Sequence, residues 1–150
     1  MALLEKQLEV KDSSIPGAGK GLFTSKFIAK GTRIVEYKGK IRTWEEVKLD
    51  DSNYYIFYVN ENHIIDAASY KRSPARYIND AKGLQRINGL KNNAEFICEG
   101  LRVFVDATRD IPAGAEIFVG YGKDYWQVIR KNQKVDLKTK HSQIHNREHK

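Results

Sequence analysis

Apolar positions along this chain fall in short runs, not in long amphipathic repeats. The runs "TRIVEYKG" (32–39), "NYYIFYV" (53–59), "HIIDA" (63–67), "AEFIC" (94–98), "LRVFVDA" (101–107) and "EIFVGY" (116–121) are rich in Val, Ile, Phe or Tyr and bounded by turn residues. Such side chains suit a pleated, half-buried surface, so each run predicts a strand. "NEN" (60–62) and "EG" (99–100) stand where hairpin turns would join neighbouring strands. Helical signals are few. "TWEEVK" (43–48) sets Thr43 and Glu46 at capping-box spacing, "SPARYI" (73–78) allows one short turn after Pro74, and "KDYWQVIRKN" (123–132) reads as a helix after Gly122. No strand–helix–strand alternation is present, so the expected class is mainly β with small helices and not a doubly wound sheet.

One pattern occurs twice. "IAKGTRIVEYKG" begins at Ile28 and "IPAGAEIFVGYG" at Ile111, and both read Ile-x-x-Gly-x-x-Ile-x-x-x-x-Gly. Each carries a Tyr near its end, Tyr37 two residues before the closing Gly and Tyr121 one before. A shift of one residue reverses the face of a strand, so two related units would present the two tyrosines differently around one site. Because Ile-x-x-Gly turns are common, two unrelated turns account for the echo equally well.

A chain of 150 residues is long enough for one domain with a real core. No segment approaches the roughly 20 apolar residues of a membrane span. The N-terminal "MALLEKQLEV" has charges within its apolar part, unlike a signal peptide. The expectation is a soluble, intracellular protein with no membrane partner. Cys98 is the only cysteine, which excludes an internal disulfide and a cysteine-based zinc cluster. The net charge of +7 is uneven: from Arg130 to Lys150 there are seven Lys or Arg against two acids, so this tail supplies +5. We therefore divide the chain into a domain over 1–129 and a basic, flexible tail over 130–150. A basic tail is a route to nucleic acid or an acidic partner, but this one has no aromatic residue on which a base would stack.

Three stretches are candidates for chemistry. "SSIPGAGKGLF" (13–23) alternates Gly17, Gly19 and Gly21, so backbone amides can approach a ligand closely, though taken alone the stretch reads better as a flexible turn. It fits neither a dinucleotide fingerprint nor a phosphate-binding loop, lacking the required spacing and a Gly-Lys-Ser/Thr. "ARYINDA" (75–81) contains Asn79, able to donate and accept at once or simply to form an Asx turn. "GYGKDYW" (120–126) frees the Tyr121 hydroxyl between two glycines and adds the flat faces of Tyr125 and Trp126, which suit a purine or a cation. Asp66 and Asp106 end strands, where they more often cap turns than bind metal. His141, His145 and His149 recur every four residues in a polar terminal setting, and no metal is expected there either.

Taken in order, these motifs resemble the SET-domain family of S-adenosylmethionine-dependent protein lysine methyltransferases. "GAGKGLF", "IAKGTRIVEYKG", "IIDAASYKRSPARYINDA", "NNAEF" and "IPAGAEIFVGYG" are similar to that family's successive motifs, over roughly Gln7 to Trp126. The size and the "GYGKDYW" ending resemble the minimal bacterial and viral members, which lack the zinc-binding flanks. The resemblance implies a β-clip of several small sheets, with a knot-like crossing near the C-terminus that brings the segments around Asn79 and Tyr121 together. It implies S-adenosyl-L-methionine as cofactor and a basic, lysine-containing protein as substrate. Tyr121 would be the catalytic hydroxyl, and Tyr37 would line the amine pocket. Backbone around Ala18, Gly19 and Lys20 would hold the amino-acid end of the cofactor, Asn79 its amine, Asp80 would lie beside the adenine and Trp126 would stack near it. Two departures stand out: Asp80 replaces the family's His, and "GLQRINGLK" (83–91) lengthens the segment between Asn79 and Asn93. At the family's Phe/Tyr product-switch position, two before the catalytic Tyr, this chain has Val119. The placement implied is cytoplasmic in a bacterium, with the nucleus also open in a eukaryote or virus.

Overall fold

A computed structural model describes residues 3–50, 55–81 and 89–120, and among them the strands form three antiparallel three-stranded sheets. The first has the order β1 (Leu8–Asp12), β2 (Lys20–Thr24), β9 (Glu116–Ile117). The second runs β3 (Arg33–Glu36), β8 (Arg102–Ala107), β7 (Ala94–Glu99). The third runs β4 (Lys40–Arg42), β6 (His63–Asp66), β5 (Ile56–Asn60). A single helical turn, α1 (Trp44–Val47), and 3₁₀ turns at Glu5–Gln7 and Pro74–Tyr77 complete the described elements. No helix among the described residues is long and apolar enough to cross a membrane.

Most of the expected elements form where the pattern put them. The β5–β6 hairpin closes through Asn60–Asn62, with the Asn62 N–H donating to Asn60 Oδ1 at 2.8 Å. The β7–β8 hairpin turns at Gly100, whose φ of 64° only glycine takes without strain. Thr43 and Glu46 form the expected capping box at α1. Arg42 fastens that turn to the third sheet, donating to Asp66 at 2.7 Å and to the Glu46 carbonyl at 3.0 Å. Asp66 also accepts from the Ala68 N–H at 2.9 Å, which is the turn-capping role expected of it.

The sequence echo is a real structural repeat. Ile28 and Ile111 exchange two backbone hydrogen bonds of 2.8 Å across an antiparallel bridge. Around that bridge the contacts are reciprocal. Gly31 N–H donates to Ala107 O and Ala107 N–H to Thr32 O, while Gly114 N–H donates to Thr24 O and Thr24 N–H to Ala115 O. The strand leaving the first unit, β3, pairs with β8 of the second, and the strand leaving the second, β9, pairs with β2 of the first. Two sheets are thus built by exchange about a local two-fold. A bulge between Arg33 and Val35 breaks the match by one residue, and no bulge accompanies the Leu22–Ile117 and Phe23–Glu116 pairs.

The core gathers where the sheets meet. Leu22, Ile28, Ile34, Ile111, Ile117 and Val119 all lie within one cluster at no more than 2% exposure. Each such side chain contributes about 1.5–3 kcal/mol relative to leaving it in water. Gly39 lets the chain entering β4 pass close to the end of β6: a Cβ there would lie 2.5 Å from the Asp66 carbonyl carbon and 2.8 Å from the Ala67 nitrogen. Backbone cannot yield as a side-chain tip can, so Gly39→Ala is expected to cost about 1–3 kcal/mol of unfolding free energy, read by denaturant titration. A cost below about 0.5 kcal/mol would show that the two strands separate freely.

The outer face of the second sheet is ionic. Phe104 lies under the guanidinium groups of Arg33 and Arg102, at 4.3 and 4.9 Å from its centroid. Arg33 pairs with Asp106 at 2.8 Å and Glu99 at 3.0 Å, and Arg102 pairs with Glu36 at 2.8 Å. The hydrogen bonds from Arg102 hold the Glu36 carboxyl below its ordinary value of 4.5. The unfolded chain therefore binds more protons in acid, and the stability this pair adds is lost as pH falls through the depressed folded value. Arg102→Ala should melt slightly below the wild type at neutral pH, because an exposed pair adds little, and the gap should close on acidification. A gap that persists at about pH 3 would assign the loss to packing on Phe104 instead of charge.

Candidate functional site

The Gly-rich loop is shaped by its own backbone. Gly17 and Gly19 take φ of 80° and 74°, and nothing lies within 4 Å of where their Cβ atoms would be. They serve conformation and leave open space beside the loop. The Ser13 N–H closes it onto the Gly19 carbonyl at 2.8 Å. Gly21 serves a different end: a Cβ there would run into the Glu116 carboxylate. From Lys20 the chain continues as β2, a central strand buried from Gly21 to Thr24. A turn thus occupies only the first part of this stretch, and a strand the rest.

Asn79 ties that loop to the C-terminal segment. Its carbonyl accepts from the Val119 N–H at 2.9 Å, and its side-chain Nδ2 donates to the Lys20 carbonyl at 3.0 Å. Parallel bridges join Asn79 to Phe118 and Ala94 to Val119, so the segment after β9 lies between the Asn79 strand and β7. This is the expected crossing, described to within one residue of Tyr121. Two further asparagines hold it. Asn93 donates through Nδ2 to the Glu116 carbonyl at 3.0 Å and accepts the Phe118 N–H at 2.8 Å. Asn92 donates to Asp80 Oδ1 at 3.0 Å and accepts the Ala81 N–H at 2.8 Å. Side-chain amides here stand in for strand pairing, because each carries a donor and an acceptor like a peptide group.

Ala18, Gly19, Lys20, Asn79 and Asp80 are therefore brought into one neighbourhood, over a small apolar cluster of Ile15, Ala81 and Phe118 against which Ala18 packs. Asp80 is only 8% exposed, with its carboxylate bonded to Asn92. The Lys20 ammonium is engaged with Asp12 at 2.8 Å on the surface, where the pairing holds the Asp12 carboxyl below its usual range. Val119 is fully buried in the main core.

Tyr37 belongs to an aromatic group in that main core. Its ring meets Phe57 at 6.0 Å and Phe96 edge-on at 5.9 Å, and its hydroxyl donates to the Tyr55 carbonyl at 2.6 Å. Arg76 braces this region from the Pro74–Tyr77 turn. Its guanidinium lies 4.0 Å from the Tyr55 ring centroid, and Nη1 donates to the Ala67 and Ala68 carbonyls at 2.8 Å each. Tyr121, Trp126, the His141, His145 and His149 set and the basic tail lie outside the described residues. Among the described residues no group of three or more His, Cys, Asp or Glu side chains is placed to hold a metal ion.

Sequence reasoning did not single out Glu116. It is 5% exposed and accepts from the Ser13 hydroxyl and the Ser14 N–H, both at 2.8 Å. A usable signal was present in the echo: Glu116 occupies the place of Arg33, which is half-buried and ion-paired, so an acid in a mostly apolar strand called for a partner.

Comparison with known proteins agrees with this geometry. The SET domain model matches residues 19–122. Histone-lysine N-methyltransferase 2D of Homo sapiens is 31% identical over 114 residues, covering 71% of this chain and 2% of that protein. N-lysine methyltransferase KMT5A of Xenopus tropicalis is 28% identical over 134 residues, covering 78% of this chain and 37% of that protein. The chain thus spans well under half the length of either relative. A structure of ctPRC2 in an autoinhibited conformation bound to S-adenosylmethionine superposes with a TM-score of 0.64 at 22% identity, covering 88% of this chain and 17% of that one. A family model matched over more than half of the chain, on the same segments that the crossing joins, means that this chain belongs to the SET domain family.

Proposed function

We propose that the chain is an S-adenosylmethionine-dependent protein lysine N-methyltransferase acting on a basic protein. The observation that carries this reading is the docking of the Gly17–Lys20 loop and the segment after β9 onto the same residue, Asn79. That arrangement gathers backbone, an amide and a buried carboxylate beside open space at Gly19, a donor set that fits a ligand with an amino-acid end. When bound, the cofactor would supply a sulfonium methyl to an amine lone pair placed in line with the carbon–sulfur bond, whose electron pair would stay on a then neutral sulfur while the alkylated amine lost a proton.

The work of the protein is alignment and desolvation. The amine must arrive neutral, and its ordinary pKa of about 10.4 is lowered by an apolar channel. Tyr37, fixed by Tyr55, Phe57 and Phe96, offers a rigid apolar wall for such a channel. Tyr121 is the proposed orienting hydroxyl, and Trp126 the proposed wall near the adenine. Backbone at Ala18, Gly19 and Lys20 and the Asn79 side chain are proposed to take the amino-acid end. Asp80 spends its carboxylate on Asn92, so the exchange of the family's His for Asp leaves the backbone of this segment to serve the cofactor.

Incubation with methyl-labelled S-adenosylmethionine and a panel of basic proteins is expected to place label on lysine. Binding of the cofactor without transfer to any lysine, including those of the chain itself, would replace this reading with that of a binding module. Label on no protein and retention of nucleic acid that depends on residues 130–150 would favour action through the tail.

A further inference from the structure

The local two-fold about Ile28 and Ile111 has one position where its halves disagree. Both halves carry the same turn. The Thr32 N–H donates to the Ala29 carbonyl and the Ala115 N–H to the Pro112 carbonyl, each at 3.1 Å, and Gly31 and Gly114 take φ of 88° and 87°. In the first turn the Lys30 N–H donates to the Asp110 carboxylate at 2.8 Å, so each half could cap the turn of the other. The two-fold relates Lys30 to Ala113 and Asp110 to Phe27. The matching cap for the Ala113 N–H would come from residue 27, and a phenylalanine side chain accepts nothing. Among the described residues the Ala113 N–H has no acceptor.

Phe27 is not compensated by burial, since it is 59% exposed. Side chains alternate along the bridged segments, so burying Ile28 and Ile111 turns residues 27, 29, 110 and 112 outward. Phe27, Ala29, Pro112 and Ala113 give that face an exposed apolar centre. Lys26, Lys30 and Arg109 flank it in the two segments, all exposed and none ion-paired among the described residues. The acid among these residues, Asp110, is engaged by the Lys30 N–H. Selection for stability alone would favour Asp or Asn at position 27, so an exposed aromatic ring there points to a surface that binds.

We propose that this face docks an acidic polypeptide segment. An apolar side chain of the partner rests on Phe27 and Pro112, and a carboxylate accepts from the Ala113 N–H, as Asp110 does from Lys30. Such a bond is charge-assisted. Lys26, Lys30 and Arg109 outweigh Asp110 in charge, which favours an acidic partner over a neutral or basic one and speeds its encounter. None of the residues proposed to hold the cofactor or the amine belongs to this face, so the proposal stands or falls apart from the methyltransferase reading.

The test uses fluorescence anisotropy on the full chain, with a labelled peptide that alternates Glu with Leu and Phe as the probe. Wild type should bind it, and the same peptide with Gln for Glu should bind about tenfold more weakly. Phe27→Asn is the decisive variant, because it supplies the missing cap and leaves every charge in place. It should melt about 2 °C above the wild type and yet bind the acidic peptide about tenfold more weakly. Arg109→Gln should weaken the peptide without raising the melting temperature. Equal peptide affinity in wild type and Phe27→Asn would overturn the proposal and leave any binding to charges elsewhere, residues 130–150 included. A melting temperature lowered by Phe27→Asn would overturn it too, by showing that the ring serves the fold. A single-stranded oligonucleotide held in a Phe27-dependent way, with no hold on the peptide, would replace the acidic segment by nucleic acid. Self-association by sedimentation that vanishes in Phe27→Asn, again with no peptide bound, would give the face to a second copy of the chain.

Discussion

Tyr121→Phe is expected to leave the fold and cofactor affinity in place and to lower methyl transfer by about 10²-fold. The change removes one oxygen. Among the described residues Asn79 and Asn93 secure the crossing through residues 116 to 119, independently of that oxygen. What is lost is the hydroxyl proposed to hold the amine on the line of displacement, so the deficit should appear in kcat. Single-turnover methylation of a validated protein substrate, together with calorimetric titration of S-adenosylmethionine, separates the two. Turnover within about threefold of wild type would remove Tyr121 from the mechanism. Tyr37→Phe offers a contrast. The Tyr37 hydroxyl is spent on the Tyr55 carbonyl, so its removal should loosen the wall of the channel and show partly as a loss of stability.

Strands with alternating or continuous apolar runs were legible from the sequence because burial itself writes that pattern. β3, β5, β6, β7 and β8 all lie inside expected runs or within a residue of them. The strands that escaped notice have reasons. β1 is an edge strand with Glu9 to Asp12 exposed, so it carries no apolar face to read. β2 was masked by the glycines that precede it, and β4 is only three residues long. The run over 116–121 shortens to a two-residue strand because Phe118 and Val119 leave β2 to pair in parallel with Asn79 and Ala94. Such long-range pairing depends on tertiary context that a local window does not contain. The same holds at the site. Glycines and asparagines marked its neighbourhood, but the buried charge of Glu116 emerged only when Ser13, Gly21 and Asn79 came together around it.

Asn79→Ala tests the other half of the site and should give the opposite kinetic signature. Its backbone carbonyl still accepts from Val119, so the crossing keeps its bridge. The side chain, however, loses three things at once: the tie to the Lys20 carbonyl, the contact with Glu116 and the acceptor proposed for the cofactor amine. A hydrogen bond to a charged group contributes about 1.5–3 kcal/mol, so the dissociation constant for S-adenosylmethionine should rise about 10- to 100-fold. Releasing the loop adds to this, because the Gly17–Lys20 backbone must then be ordered by the ligand itself. At saturating cofactor kcat should recover most of its value, since the amine channel proposed at Tyr37 is separately braced by Phe57, Phe96 and Arg76. Asn79→Asp sharpens the comparison. It keeps an acceptor, but it sets a second carboxylate beside Glu116 and takes away the donor that Lys20 and Glu116 both use. If binding depends on the amide held on the Lys20 carbonyl, the aspartate should bind as poorly as the alanine; if any acceptor suffices, it should bind nearly as well as the wild type, and the role proposed for the amide would fall.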